Sequence, residues 1–269
     1  MEIIESTSNS KIKNIKTLIS KSRLRKETGF FIAEGPRMVF ETPVRLLKEI
    51  YVTEELVGDE RFLDFREKLS DIPVSMYTVT DRVMRAISDT VTPQGVLAVV
   101  EQPRYRLDEL LPKDAYILVL ERLQDPGNLG TIFRTSEGAG VTGIIMTSDC
   151  VDIFSPKVVR STMGSLYRVP FFVTGDIIDT IELLHKRGIR LYAAHPSGEK
   201  EYFDADCTGA CGFMIGNEGV GLSDELSRLS DERITIPMRG SLESLNAAMA
   251  TGILLYEGDR QRRRKNGSG

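Results

Sequence analysis

Residues 120–147 read LERLQDPGNLGTIFRTSEGAGVTGIIMT and contain a literal GxGxxG, the sequence GAGVTG at 138–143. A dinucleotide-binding fingerprint needs the order strand, glycine motif, helix, because its glycines let the backbone approach a pyrophosphate at the helix N-terminus. Here the order is reversed, since a helix is predicted from Leu129 to Glu137 and a strand follows in VTGIIMTS. The motif therefore predicts a helix-to-strand turn, and a nicotinamide-dependent oxidoreductase is not favoured.

The composition predicts a soluble protein of one or two domains. The chain has 269 residues, of which 41% are hydrophobic, and no apolar run long enough for a membrane span. The N-terminus lacks the apolar segment of a secretion signal, so a reducing cytoplasm is the expected location. Cys207 and Cys211 are interpreted as buried or incidental thiols, because a metal site would need further ligands at suitable spacing.

The charged residues are unevenly distributed along the chain. Its net charge is −4, yet both ends are cationic, which suits attachment to a phosphate backbone through local basic patches. The simpler alternative is a solvated helix face at one end and a frayed tail at the other. The N-terminal cations, with no acid among them, are Lys11, Lys13, Lys16, Lys21, Arg23, Arg25 and Lys26. The C-terminal cations are Arg260, Arg262, Arg263, Arg264 and Lys265.

Two α/β halves are predicted on either side of a polar linker at 105–114. The first half, 1–104, shows strands in GFFIAEG, LKEIYVTEE and QGVLAVVEQ and helical spacing in ERFLDFREKLSD. The second half, 115–260, carries short apolar runs in AYILVLE, TGIIMT, IRLYAAH, CGFMIG and RITIPM. Such runs, separated by helices or turns, predict a parallel sheet covered on both faces. A basic tail at 261–269 follows.

Polar residues stand at three strand-to-helix junctions of the second half. The first junction presents Asn128 and Arg134, the second holds Glu218 in a glycine-rich loop, and the third presents Ser244 and Asn246. Because a ligand of a parallel sheet lies beyond the carboxyl ends of its strands, the three loops are expected to converge on one site. That set contains no histidine, metal cluster or P-loop, so it suits neither hydride transfer nor phosphoryl transfer.

These junctions resemble the SpoU-type (TrmH-like) RNA ribose methyltransferases of the SPOUT superfamily. The resemblance rests on NLGTIFRT at 128–135, GNEGVGL at 216–222 and IPMRGSLESLNAAMA at 236–250, in the family's order and spacing. FIAEGPRMV from Phe31 looks like the L30e-like substrate-binding domain that often precedes this catalytic domain. The resemblance implies an α/β fold: a parallel-sheet domain with a deep trefoil knot, preceded by a smaller L30e-like α/β domain. It also implies a homodimer in which the partner subunit completes the site.

The resemblance further implies methyl transfer from S-adenosylmethionine to a ribose 2′-hydroxyl of structured RNA, with ribosomal RNA favoured over transfer RNA. Arg134 would orient and polarise the hydroxyl, and the proton acceptor stays open because a guanidinium rarely loses a proton. Asn128 would position Arg134 or the ribose, and Glu218 would hold the loop or the arginine. Carried over by position, the catalytic residues are Arg134, Asn128, Glu218 and Asn246, and the cofactor contacts are Ala194, Gly216, Ile236, Ser244, Leu245 and Asn246.

Each site residue also has a simpler interpretation. Asn128 would cap its helix, Glu218 would be an ordinary loop carboxylate, and Arg134 would pair with Glu137 one helical turn away. The serine and asparagine of the third junction would cap the helix that follows them. For the whole chain, the alternative is a non-catalytic RNA- or ribosome-binding protein that retains the fold.

Overall fold

The computed structural model describes residues 1–242, 244–265 and 267. The strands are β1 (Glu2–Ile4), β2 (Phe30–Glu34), β3 (Leu47–Thr53), β4 (Ser75–Val79), β5 (Val96–Glu101), β6 (Tyr116–Leu120), β7 (Gly143–Thr147), β8 (Phe171–Thr174), β9 (Arg190–Ala194), β10 (Lys200–Glu201), β11 (Cys211–Ile215) and β12 (Glu232–Thr235). The helices are α1 (Ser10–Ser20), α2 (Ser22–Thr28), α3 (Pro36–Phe40), α4 (Glu54–Val57), α5 (Glu60–Glu67), α6 (Asp81–Ile87), α7 (Pro126–Gly138), α8 (Pro156–Thr162), α9 (Ile177–Lys186), α10 (Asp224–Leu229) and α11 (Ala247–Lys265).

The chain divides into two compact units. The N-terminal unit comprises Met1–Pro103 together with Asp152–Tyr167, and the C-terminal unit comprises Arg104–Val151 and Arg168–Gly269. The segment Asp152–Tyr167 falls within the stretch that the sequence analysis assigned to the second domain. A split based on chain continuity cannot detect a segment that packs with a distant part of the chain.

The N-terminal unit contains a mixed five-stranded sheet in the order β1-β4-β3-β5-β2. Strand β5 runs antiparallel to β2 and β3, whereas β1 and β3 both run parallel to β4. Helix α1 covers the sheet with Ile12, Ile15 and Leu18, all fully or almost fully buried. The predicted strands β2, β3 and β5 and the predicted helix α5 are confirmed. Strands β1 and β4 were missed because EII spans only three residues and SMYTV contains no continuous apolar run.

Polar contacts tie the segment Asp152–Tyr167 into the N-terminal unit. The carboxylate of Asp152 accepts hydrogen bonds from the Arg25 guanidinium, with Nη2 at 2.6 Å, and from Ser22 Oγ at 2.8 Å. Tyr167 and Thr42 share a buried hydrogen bond of 2.9 Å between their hydroxyl groups. Because Arg25 is only 4% exposed, its ion pair with Asp152 belongs to the interior of this unit.

The C-terminal unit contains an all-parallel seven-stranded sheet in the order β10-β12-β9-β11-β6-β7-β8. Every residue of the central strands β6 and β11 is buried, so the predicted parallel sheet covered on both faces is confirmed. The five predicted strands correspond to β6, β7, β9, β11 and β12, whereas the short β8 and β10 were missed. Helix α11 packs against α7, and Tyr116 in β6 donates its hydroxyl to Leu255 O at 2.7 Å.

The glycine motif lies where the sequence places it, between a helix and a strand. Helix α7 ends at Gly138, Gly140 adopts a left-handed φ of 70°, and β7 begins at Gly143. The start of α7 differs from the prediction by one turn. Asp125 caps the helix by accepting from Asn128 N at 2.7 Å, so α7 begins at Pro126 rather than Leu129. Proline suits this first helical position because its missing N–H would have no helical partner there.

Residues 261–265, which the sequence analysis assigned to a basic tail, form the last turn of α11. The guanidinium carbon of Arg262 lies 4.8 Å from the centre of the Tyr116 ring, and the guanidinium donates to Cys207 O and Gly209 O at 3.2 and 2.6 Å. Thus Arg262 anchors the helix end instead of extending into solvent. The remainder of that predicted tail includes Asn266, Ser268 and Gly269, which lie outside the described residues.

No helix of the described chain is both long and apolar enough to cross a bilayer.

Candidate active site

Hydrogen bonds between side chains join the three strand-to-helix junctions of the C-terminal unit. Asn246, which precedes α11, donates from Nδ2 to Asn128 Oδ1 at 2.9 Å. Asn128, in the first turn of α7, donates from Nδ2 to Glu218 Oε1 at 3.1 Å. The three loops therefore meet at the carboxyl ends of the strands, as the sequence predicts.

The N-terminus of α11 sets the direction of this hydrogen-bond chain. Asn246 Oδ1 accepts from Ala248 N and Met249 N at 2.9 and 3.2 Å, which caps the helix. Its Nδ2 therefore faces Asn128, whose Oδ1 must be the acceptor. The amide of Asn128 then presents its own Nδ2 to the carboxylate of Glu218. Asn246 thus serves both as the helix cap suggested by the simpler interpretation and as a member of the site.

Glu218 receives three hydrogen bonds across the junction. Oε1 accepts from Asp125 N at 2.9 Å as well as from Asn128, and Oε2 accepts from Gln124 N at 3.1 Å. Partial burial by itself would raise the pKa of Glu218, but these donors together hold that pKa below its ordinary value. Glu218 is therefore a charged group that fixes the loop before α7, not merely an exposed loop acid.

Sequence reasoning missed Asn217, which shapes the loop that carries Glu218. Its Oδ1 accepts from Gly219 N at 2.8 Å, and its Nδ2 donates to Arg122 O at 2.9 Å. A side chain at Gly216 would collide with the backbone of Gly221, so the tight loop requires glycine there. An asparagine directly before the only acid of a glycine-rich loop was the available signal.

Sequence reasoning also missed Glu121, a carboxylate only 6% exposed at the end of β6. Its Oε2 accepts from Ser223 N at 2.7 Å, and Ser223 Oγ in turn accepts from Leu226 N at 3.2 Å. Ser223 is therefore the N-cap of α10, and Glu121 holds this cap against β6. A charged residue that directly follows an apolar strand was the signal for Glu121.

A cleft of about 630 Å³ opens beside the hydrogen-bond chain. Part of its wall is formed by the third junction, where Ser244 is exposed and Leu245 is half-buried. Such a volume is in the range of small-molecule and cofactor sites. The lining residues are Gln124, Asp125, Pro126, Asn128, Asn217, Glu218, Ser244, Leu245 and Asn246.

Arg134 is exposed on α7, about 9 Å along the helix axis from Asn128 at the usual rise per residue. It is not part of the hydrogen-bond chain. Glu137, its partner in the simpler interpretation, instead pairs with Arg168 at 2.5 Å. Within residues 1–242, 244–265 and 267, Arg134 has no ion-pair partner, so its guanidinium can contact a substrate.

The remaining predicted cofactor contacts lie at the ends of three neighbouring strands. Ala194 ends β9 and pairs in register with Ile234 of β12, while Gly216 follows β11 on the other side of β9. Ala194 and Ile236 are half-buried. None of these positions lines the cleft described above. Among the described residues between 236 and 245, no backbone group bonds to other backbone, so N–H and C=O groups beside apolar side chains are available to an adenosyl group.

The predicted RNA-binding cations of the N-terminal unit differ in their accessibility. Arg25 is buried against Asp152, which corrects its prediction as a phosphate contact. Lys11 pairs with Glu49 at 2.9 Å. Arg23 makes an exposed pair with a glutamate one turn later on its helix. The exposed lysines without an ion-pair partner among the described residues are Lys13, Lys16, Lys21 and Lys26.

The fold and site define a two-unit α/β protein whose parallel-sheet unit carries a polar cleft at its strand ends. A family model described as the SpoU rRNA Methylase family matches residues 115–256, and a model for an MRM3-like substrate binding domain matches residues 9–98. The chain belongs to the SpoU rRNA methylase family.

Characterised relatives span almost the whole chain. The 23S rRNA guanosine 2′-O-methyltransferase RlmP of Bacillus subtilis is 31% identical over 95% of this chain and 98% of its own. The AdoMet complex of the SpoU methyltransferase AviRb from Streptomyces viridochromogenes superposes with a TM-score of 0.85 at 29% identity, covering 94% of this chain and 98% of that one. An AdoMet-bound rRNA methyltransferase from Sinorhizobium meliloti superposes with a TM-score of 0.86 at 31% identity, covering 96% of this chain and 97% of that one.

Proposed function

We propose that this protein transfers a methyl group from S-adenosylmethionine to a ribose 2′-hydroxyl of ribosomal RNA. The observation that carries the proposal is the hydrogen-bond chain from Asn246 through Asn128 to Glu218, which closes one side of a cleft at the strand ends. Membership in the SpoU family and the rRNA methyltransferases among its relatives support the same activity.

The residues of the site act by positioning. Glu218 fixes the loop before α7 through two backbone N–H groups, and the same carboxylate fixes the amide of Asn128. Asn128 then holds the ribose, and Arg134 donates hydrogen bonds that orient and polarise the attacking hydroxyl. A fixed near-attack geometry supplies a large part of the rate enhancement in such a transfer. The guanidinium offers only N–H donors and no acceptor atom, so the hydroxyl proton leaves to another group.

The cofactor site is formed by Ala194, Gly216, Ile236 and the loop from Ser244 to Asn246. S-adenosylmethionine supplies an electrophilic sulfonium methyl group when it is bound there. The half-buried aliphatic side chains would pack against the adenine, and the available backbone groups would bond to its edge. The family resemblance implies that the chain around this loop forms a deep trefoil knot.

The protein is proposed to act as a homodimer. Met249 and Tyr256 are 61% and 49% exposed and lie two helical turns apart on the same face of α11. Leu242, in the loop before that helix, is 70% exposed. An apolar helix face of this kind is typical of a subunit interface.

The free, buried thiols of Cys207 and Cys211 suit the reducing cytoplasm, where ribosomal RNA is modified.

The test is methyl transfer from S-[methyl-³H]adenosylmethionine to 23S rRNA isolated from cells that lack the gene. Nuclease digestion of the product should give a labelled 2′-O-methyl nucleoside, and rRNA from wild-type cells should accept much less label. Label on a base, or binding of rRNA without transfer, would contradict the proposal. If the protein bound rRNA, transferred no methyl group and did not bind S-adenosylmethionine, the non-catalytic RNA-binding alternative would be favoured.

A further inference from the structure

A loop of the N-terminal unit presents the most exposed apolar side chain of the described chain. Residues 88–95, SDTVTPQG, connect α6 to β5, and Val91 at the tip is fully exposed at 102%. A single exposed aliphatic residue is ordinary on a protein surface. Val91 differs because the loop that carries it is held at both ends and adjoins a cationic helix face.

Glu34, which is 8% exposed, holds the start of this loop. Its carboxylate accepts hydrogen bonds from Ser88 Oγ, from Asp89 N at 3.0 Å and from Thr90 Oγ1 at 2.5 Å. The end of the loop is held as well, since Gly95 O accepts from Thr53 N at 2.9 Å. The tip is therefore presented in a defined position, which lowers the entropy lost when a ligand packs against it.

Helix α6, which leads into the loop, carries two exposed arginines on one face. Arg82 and Arg85 are one helical turn apart, and within the described part of the chain neither makes an ion pair. The acid nearest the tip, Asp89, is neutralised by Arg160 at 2.8 Å. Arg85 stands six residues before Val91 in the chain, and both guanidinium groups are available for an anion.

We propose that Val91 and the Arg82–Arg85 face together bind an unstacked nucleotide of the RNA substrate. The valine packs against the face of the base, and the arginines contact the adjoining phosphates. One valine offers too little apolar area for a stable protein partner, whereas one base face matches its size. This proposal rests on the proposed function, and it adds a base contact to the phosphate contacts expected of the lysines of α1 and α2.

The experiment uses the full-length protein and 23S rRNA from cells that lack the gene. Val91→Ser should raise the Kd and the KM for rRNA about fivefold, since a lost base contact weakens binding without a charge change. The kcat, the affinity for S-adenosylmethionine and the salt dependence of rRNA binding should stay unchanged. Arg82→Gln combined with Arg85→Gln should instead lower the slope of log K against log salt by about 1 to 2.

Leu63→Ser is the matched control, because Leu63 is 42% exposed on α5 of the same unit and lies outside the proposed contact. It should leave all of these quantities at their wild-type values. A folded Val91→Ser variant with the wild-type Kd and KM, or one indistinguishable from Leu63→Ser, would overturn the proposal. If the wild-type protein bound rRNA but transferred no methyl group, the proposed function would fail, while the binding comparison would still decide this proposal.

Discussion

Replacing Glu218 with glutamine keeps the size of the side chain but removes the charge that three donors share. The amide can accept through one oxygen only, and its NH₂ group would face an N–H of Gln124, Asp125 or Asn128. Hydrogen bonds to a charged group contribute about 1.5–3 kcal/mol each when they are buried. Since Glu218 is exposed, solvent screening reduces the total, and we expect a loss of about 1 kcal/mol.

The unfolding free energy lost in the Glu218→Gln variant should decrease at low pH. Because the folded-state pKa of Glu218 lies below its ordinary value, its stabilisation is fully present above the unfolded pKa of about 4.3. It is lost as the pH falls through the lower folded-state pKa. The difference in unfolding free energy between wild type and Glu218→Gln should therefore be constant above about pH 5 and shrink at lower pH.

The catalytic effect of Glu218→Gln should exceed its effect on stability. Misplacing Asn128 by a fraction of an ångström should lower kcat about 10- to 100-fold, while the Kd for S-adenosylmethionine stays within about twofold. The assays are calorimetric titration, methyl transfer and thermal unfolding between pH 3 and 8. Glu201→Gln is the control, because within the described residues this exposed acid of the C-terminal unit makes no ion pair. A wild-type kcat, or a pH-independent stability difference, would refute the reasoning.

Three further variants test the remaining assignments. Arg134→Ala should lower kcat at least about 100-fold and leave calorimetric binding of S-adenosylmethionine intact, and a folded variant that no longer binds the cofactor would contradict its role. Arg25→Met should destabilise the protein by about 3 kcal/mol in denaturant titration, because it leaves the Asp152 carboxylate unpaired. Lys13→Gln combined with Lys16→Gln should lower the salt slope of rRNA binding by about 2 with unchanged stability, and an unchanged slope would make these lysines a solvated helix face.

Deleting the basic N-terminal segment would not be an informative test of RNA binding. Ile12, Ile15 and Leu18 of α1 lie in the core of the N-terminal unit, and Arg25 forms its buried ion pair in α2. A deletion of residues 1–26 would therefore remove core packing together with the exposed lysines. Point substitutions of the lysines separate these two effects, because their side chains extend from the helix surface.

Local patterns in the sequence were sufficient for the elements that position the site. The order of helix, glycine motif and strand predicted the turn after α7, and Gly140 adopts the left-handed φ that such a turn requires. Continuous apolar runs predicted the buried parallel strands. Because the ends of parallel strands share one edge of a sheet, these patterns also predicted that Asn128, Glu218 and Asn246 would meet.

Only the tertiary structure decided which partner each polar group has. Arg25 stands in a run of cations but is buried because Asp152, distant in the chain, packs against it. Asn128 lies within the first turn of α7 rather than at its cap, and its amide direction is set by N–H groups of α11. Sequence spacing determines periodicity and hence which face of an element is buried, whereas hydrogen bonds and ion pairs between distant segments depend on how the elements pack.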